Sequence, residues 1–200
     1  MKRTLAAFVG GTVLATLVLA PVSAQQTVRV SGTVEKLEGD TLMVKAPDGA
    51  SLKITLKSNV EVVGVVKASI ADIKAGSYIG SGAMPQADGT QKAVEVHIFA
   101  ESQRGTGDGH RPWTQPGSTM TNGAVGDAVA GVDGPVVTVK YKGGEKKIVV
   151  GPDTPIVRYE AGDKSELKPG AKIRISNAVK KPDGTFEAGR ISVGRGDVTP

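Results

Sequence analysis

From residue 27 onward, apolar and polar residues mostly alternate with a period of two. Thr27-Val28-Arg29-Val30-Ser31-Gly32-Thr33-Val34-Glu35-Lys36-Leu37 reads as a strand with one buried face. Further strands are expected at 41–45, 52–56, 60–66, 78–83 and 92–99. Pro47-Asp48-Gly49 and Ala87-Asp88-Gly89 mark turns, because Pro presets φ and Gly tolerates positive φ. Gly64 interrupts an apolar run and predicts a bulge or bend. Ser69 to Gly76 carries a Ser cap and a closing Gly, which predicts one or two helical turns.

The same plan then returns. Gly39-Asp40-Thr41-Leu42-Met43-Val44-Lys45 reappears as Gly134-Pro135-Val136-Val137-Thr138-Val139-Lys140. Asp72-Ile73-Lys74-Ala75-Gly76 reappears as Glu166-Leu167-Lys168-Pro169-Gly170, and Asp88-Gly89-Thr90 as Asp183-Gly184-Thr185. The offset stays at 94 or 95 residues, so this is a duplicated unit. Strands are expected near 124–132, 136–142, 146–150, 156–159, 173–179 and 186–193, with the matching short helix at 164–170. The expected fold is all-β: two tandem small antiparallel β-barrels of the oligonucleotide/oligosaccharide-binding (OB-like) type. Each would have five or six strands and one short helix. One strand-swapped sandwich built from both repeats is the other arrangement this pattern allows.

The expected divisions are residues 25–100 for the first barrel repeat and 124–200 for the second. Residues 101–123 have no counterpart in the period and read as a Gly/Pro-rich linker. That segment holds His110-Arg111-Pro112-Trp113 and with it the sole tryptophan, which is expected to dock on a barrel.

Residues 1–24 read as a secretory signal peptide. Lys2 and Arg3 precede an apolar run from Leu5 to Ala20, and Val22-Ser23-Ala24 supplies a cleavage site. Sixteen residues is short for a membrane span. Cleavage would leave Gln25 first, no transmembrane segment, and a periplasmic protein; an extracellular destination is the alternative. The net charge of +5 falls to +3 without Lys2 and Arg3. Residues 25–100 balance eight basic against eight acidic side chains, and residues 125–200 carry thirteen against ten. A surplus this small on a mixed surface serves solubility. Cysteine is absent, which excludes disulfides, thiol catalysis and lipid attachment at the new N-terminus.

The leader, Gly32-Thr33-Val34-Glu35-Lys36, Ala68 to Lys74, Met84-Pro85-Gln86-Ala87-Asp88-Gly89, Val96-His97-Ile98-Phe99, Gly109-His110-Arg111-Pro112-Trp113 and Asp163 to Gly170 together carry a resemblance. The chain resembles a family of small exported proteins from rhizobia-like proteobacteria with a duplicated β-barrel domain of unknown function. Some relatives bear automated labels as metal ABC transporter permeases. Such a label cannot be literal for a chain with no apolar span after its leader. The resemblance implies the fold and an exported location, with a hint of metals.

Candidate chemistry is sparse. His97, His110, Met84 and Met120 offer imidazole and thioether ligands that suit Cu(I) or Ag(I). In composition they resemble the ligands of periplasmic copper chaperones built on five-stranded barrels, which use His and Met beside a Trp. Met is equally an ordinary core filler. A hard-ion set of Glu101, Asp108 and His110 is weaker. No catalytic constellation stands out, so no enzyme, no catalytic residue and no obligate cofactor are expected, with a metal ion as the alternative. His110, Arg111, Trp113, Tyr141 and Tyr159 are the candidate partner-binding residues, since an exposed Trp with Arg is the composition of an interface anchor. Tyr141, Tyr159, Arg158, Lys140, Lys142, Arg174, Lys180 and Lys181 lie in the more basic repeat. Read as a solvated strand face, they lead to the expectation of no nucleic-acid partner. The expected function is a non-catalytic binding or adaptor module of the cell envelope, whose partner is an envelope protein or a second copy of the chain. Metal handling and polysaccharide or cell-wall binding are the alternatives.

Overall fold

A computed structural model describes residues 27–200; the expected signal peptide at 1–24 lies outside the described residues. The described chain is all-β. The first half forms β1 (Thr27–Glu38), β2 (Thr41–Lys45), β3 (Ser51–Lys67), β4 (Tyr78–Pro85) and β5 (Gln91–Ile98). A short β6 (Gly109–Pro112) follows. The second half forms β7 (Thr119–Val129), β8 (Val136–Tyr141), β9 (Gly144–Val149), β10 (Ile156–Ala161), β11 (Lys172–Lys180) and β12 (Phe186–Gly194). The expected short helices are single 3-10 turns, Ile70–Asp72 and Lys164–Glu166. Both are capped alike: the Ser69 amide donates to Asp72 at 2.8 Å and the Asp163 amide to Glu166 at 2.9 Å.

The strands pair into closed rings, but not repeat by repeat. In one ring β1 lies between β2 and β11, β2 pairs β3, and β12 pairs both β11 and, in parallel, β3. In the other, β4 lies between β5 and β7, β7 pairs β8, β8 pairs β9, and β9 meets β5 in parallel. The first ring thus takes three strands from the first repeat and two from the second, and the other ring does the reverse. Each repeat supplies three strands to one barrel and sends its last two to the other. The expected tandem arrangement, one barrel per repeat, is therefore not what the pairings draw.

The exchange happens where the last five residues of β3 pair antiparallel with β10. Val65 faces Tyr159, and the flanking pairs run from Val63↔Ala161 to Lys67↔Val157. Val65 and Tyr159 are 94 residues apart, so they are the same position of the two repeats. A residue that pairs with its own repeat mate marks a local two-fold axis, as in an isologous dimer contact. Everything after this crossing belongs to the other barrel. Ile73 follows β3 and packs with Val96, Val137 and Ile148 in one core; Leu167 follows β10 and packs with Leu42, Ile54 and Ile191 in the other.

β3 runs unbroken where two strands and a bend at Gly64 were expected. The irregularity lies earlier: Leu56 pairs Ala188 and Glu61 pairs Arg190, so β3 holds extra residues between these pairs. Gly64 instead pairs regularly with Glu160 and Val193 and has no room for a Cβ, because the Arg195 guanidinium lies on it. That guanidinium bridges Glu166 and Glu160, at 2.9 Å and 2.7 Å, and donates to the Ala161 carbonyl at 2.8 Å. The repeated Asp-Gly-Thr turns are built alike. Gly89 and Gly184 take φ of 84° and 82°, and Asp88 and Asp183 each accept from the amide and hydroxyl of the following Thr.

Residues 101–123 are not a linker. A 3-10 turn (Glu101–Gln103) leads to β6, which pairs β7, and β7 begins at Thr119, ahead of the expected start near 124. The Gly and Pro residues there shape a folded-back hairpin.

Because neither repeat closes a barrel alone, the two barrels should melt as one unit. Scanning calorimetry is expected to give one transition whose van't Hoff and calorimetric enthalpies agree. Two resolved transitions would contradict the exchanged pairing.

Candidate functional site

Strand alternation builds a cleft between the barrels. On β5, Val96 and Ile98 enter a core, so Glu95 and His97 face outward; Phe99 continues that face. On β12, Ile191 and Val193 are buried while Arg190 and Ser192 turn out. On β11, Ile173 and Ile175 are buried and Arg174 turns out. These outer faces, with Val65 and Tyr159 of the crossing, enclose a cavity of about 550 Å³. Arg29 of β1 lies at one end and Arg111 and Trp113 of the 101–118 insert at the other.

Four arginines thus face one cavity that holds a single glutamate. Glu95 contacts His97 Nε2 at 2.8 Å. Burial favours its protonated form, but the His97 contact and the charges of Arg174 and Arg29 outweigh burial and hold its pKa below the ordinary value. Tyr159 stacks on His97 at 5.4 Å and takes Phe99 edge-on at 5.4 Å, and Phe99 meets Tyr78 at 5.6 Å. Burial, then the charge of Glu95, pushes the Tyr159 phenol above its ordinary value. The Arg174 Nε is buried without a hydrogen-bond partner. Leaving a buried charged donor unpaired is costly, which marks the position as one shaped for something else.

The insert seals the face beside the cleft. The Trp113 ring lies directly on Gly82, where a Cβ would overlap it, and Asn122 and Phe99 crowd Gly80 in the same way. Asn122 donates to the Thr106 carbonyl at 2.9 Å, and Arg111 to the Gly107 carbonyl at 2.7 Å. Tyr78 donates to Asp108 at 3.2 Å; burial and then the Asp108 charge push its phenol up to about 12.

Of the residues singled out for partner binding, Arg111, Trp113 and Tyr159 line the cleft. His110 and Tyr141 do not. They stack on each other at 6.2 Å on the flank of the second barrel, with His110 Nδ1 2.8 Å from the Thr121 hydroxyl. Burial, then the charge of Lys146, lowers the His110 pKa. Tyr141 and Tyr159 therefore do not share the groove a glycan platform would need.

The metal set His97, His110, Met84 and Met120 is not brought together either. His97 pairs with Gly80, Gly80 with Asn122, and Asn122 with Gly109, the neighbour of His110. Three strand steps around the barrel therefore separate the two histidines. Met120 is buried at the cleft and Met84 is half exposed against Gly117. Glu101 is engaged with Arg104, and Asp108 with Tyr78 and the Lys142 amide. Among the described residues no three His, Asp or Glu side chains form a ligand group. Sequence reasoning missed Arg29, Arg190 and Glu95. Their signal was only their out-facing register on strands whose barrel assignment the repeat concealed.

The first 99 residues match the family model described as Replication factor A protein 3. The match covers just under half of the chain and agrees with an OB-like barrel. No curated protein matches the chain. No solved structure matches it either. The match to a replication-factor family overturns the expectation of no nucleic-acid partner. That expectation rested on the few aromatics, the exported destination and the reading of the basic repeat as a solvated strand face. In the fold, four arginines and an aromatic row from both repeats converge on one cavity, a convergence that long-range strand pairing creates.

Two measurements probe this arrangement. Gly82→Ala should displace the Trp113 ring and shift the emission of the only tryptophan to longer wavelength; unchanged emission would mean the ring is not seated there. The lowered pKa of Glu95 means that its contribution to stability is full above pH 4.5 and is lost as pH falls through its value in the fold. Denaturant unfolding should find Glu95→Gln less stable than the parent by roughly 1–3 kcal/mol at neutral pH. The gap should close in acid, and a gap that stays constant would rule out the ionised role.

Proposed function

We propose that the protein is an exported, non-catalytic binding module that holds an anionic ligand or partner in the cleft between its barrels. One observation carries this reading: four arginines and the His97–Tyr159–Phe99 row line one cavity against a single glutamate. Glu95 and His97 are occupied with each other, which suits positioning of a ligand better than proton transfer. The volume falls in the range of small-molecule sites. Trp113, fixed at the cleft edge by Gly82, suits an anchor for a larger partner. The leader pattern at 1–24 supports export to the periplasm.

A second reading is favoured by the match at residues 1–99: the partner is single-stranded nucleic acid, bound through arginine and aromatic contacts. The two readings share a cleft and differ in ligand. Trp113 fluorescence of the exported, purified protein can be titrated with an oligothymidylate and with a polyuronate. At least one polyanion is expected to bind, with affinity falling tenfold or more from low to high salt. The double variant Arg111→Glu/Arg190→Glu should bind neither. Selective binding of the oligonucleotide would establish the second reading, and failure of both polyanions would refute the cleft as an anion site.

A further inference from the structure

We propose that Arg29, Arg174 and Arg190 form a phosphate-binding subsite in the cleft, and that its ligand is a phosphorylated organic molecule of nucleotide or sugar-phosphate size or the corresponding unit of a polymer. The proposal rests on the binding reading above and names the chemistry of its ligand.

The three arginines come from adjacent strands, in the order β1, β11, β12. Arg174 pairs across from Ser31 on one side and Ser192 on the other. Arg29 and Arg190 each stand two residues from those partners, on the same outward face. Arg174 and Arg190 are diagonal neighbours, about 7–8 Å apart in a regular ladder, while Arg29 lies at the register shift between Val28 and Val30 and lines the same cavity. The small Ser31 and Ser192 leave the space between them open. Neither Arg29 nor Arg174 has an ion-pair partner among the described residues, and Arg190 only approaches Glu61 at 3.6 Å. Guanidinium forks bind phosphate oxygens in pairs.

The local two-fold axis supplies an internal comparison. The repeat mates of Arg174 and Ser176 are Gly80 and Gly82, and the mate of Arg190 is Glu95. At the first-repeat positions the glycines are covered, Gly82 by Trp113 of the insert and Gly80 by Asn122 of β7 and Phe99. At the second-repeat positions the same outer face carries Arg174 and Arg190, and in place of an insert Thr199 and Pro200 line the cavity beside them. The buried Nε of Arg174, without a hydrogen-bond partner, lies on this face. The two equivalent faces thus differ: one is sealed by Trp113 of the insert, and the other presents cationic side chains to the cavity. The rest of the cavity, bounded by Tyr159 and Val157, accommodates the organic part of the ligand.

The test is isothermal titration of the exported, purified protein with inorganic pyrophosphate, a nucleoside monophosphate, a hexose phosphate and, as the carboxylate arm, citrate. The phosphate compounds are expected to bind and citrate to bind more weakly. Arg174→Gln and Arg190→Gln should each lose roughly 10- to 100-fold in affinity, the effect of one charge-assisted hydrogen-bond donor. Lys57→Gln should be unchanged. Should Arg174→Gln prove unfolded by circular dichroism, Arg29→Gln and Arg190→Gln decide. The ratio of nucleotide to sugar-phosphate affinity distinguishes the two sources. No binding of any phosphate compound, equal binding by the arginine variants, or preference for citrate would overturn the subsite. If polyanion binding measured by Trp113 fluorescence persists in that case, the binding reading stands and only the subsite falls.

Discussion

The rest of the molecule depends on the antiparallel pairing of β3 with β10. These segments occupy equivalent places in the two repeats and meet with Val65 opposite Tyr159. The pairing sends the chain out of one ring and into the other twice. Each ring closes only because the crossing delivers two strands from the far repeat. A barrel left with three strands would expose two edges along its valine-rich surface, and closure removes them. Burial follows from the same geometry. Leu42, Ile54 and Ile191 form one core although they lie up to 149 positions apart, and Val96 and Ile148 share the other.

The crossing also creates the cleft. Two barrels joined by a shared strand pair must face each other across it, so outward residues of β5 oppose outward residues of β1, β11 and β12. Neither barrel alone has this cavity. Tyr159 illustrates the coupling: its backbone carries the two-fold pairing, while its ring joins His97 and Phe99 in the cavity wall. A residue that holds the exchange together therefore also shapes the binding surface. The match of the first 99 residues to the Replication factor A protein 3 model covers β1 to β5, and those strands belong to two different barrels here.

Duplication followed by divergence gives the cleft its asymmetry. The Asp-Gly-Thr turns and the capped 3-10 turns remained alike in both halves, because each satisfies backbone groups that any copy must satisfy. The outer faces were free to differ. One took Gly80 and Gly82 and a covering insert with Trp113; the other took Arg174 and Ser176 at those positions, with Arg190 where the first repeat has Glu95. The Arg195 cluster is a further departure, pinning β12 to β10 and the second 3-10 turn through Glu160 and Glu166.

The sequence by itself determined the all-β class, the duplication, most strand positions and the turns. These are local: alternation fixes which side chains share a face, and Asp-Gly and Pro-Gly fix where the chain reverses. It also marked Arg111, Trp113 and Tyr159, three of the five residues picked for partner binding, through composition alone. Only the tertiary structure decided which strands share a barrel, because a β-strand carries no record of its neighbour and both arrangements satisfy the same alternation. For the same reason it alone separated His97 from His110, placed Tyr141 away from Tyr159, and brought Arg29, Arg174 and Arg190 onto one face. Those relations arise from long-range pairing across the crossing, and spacing along the chain does not encode them.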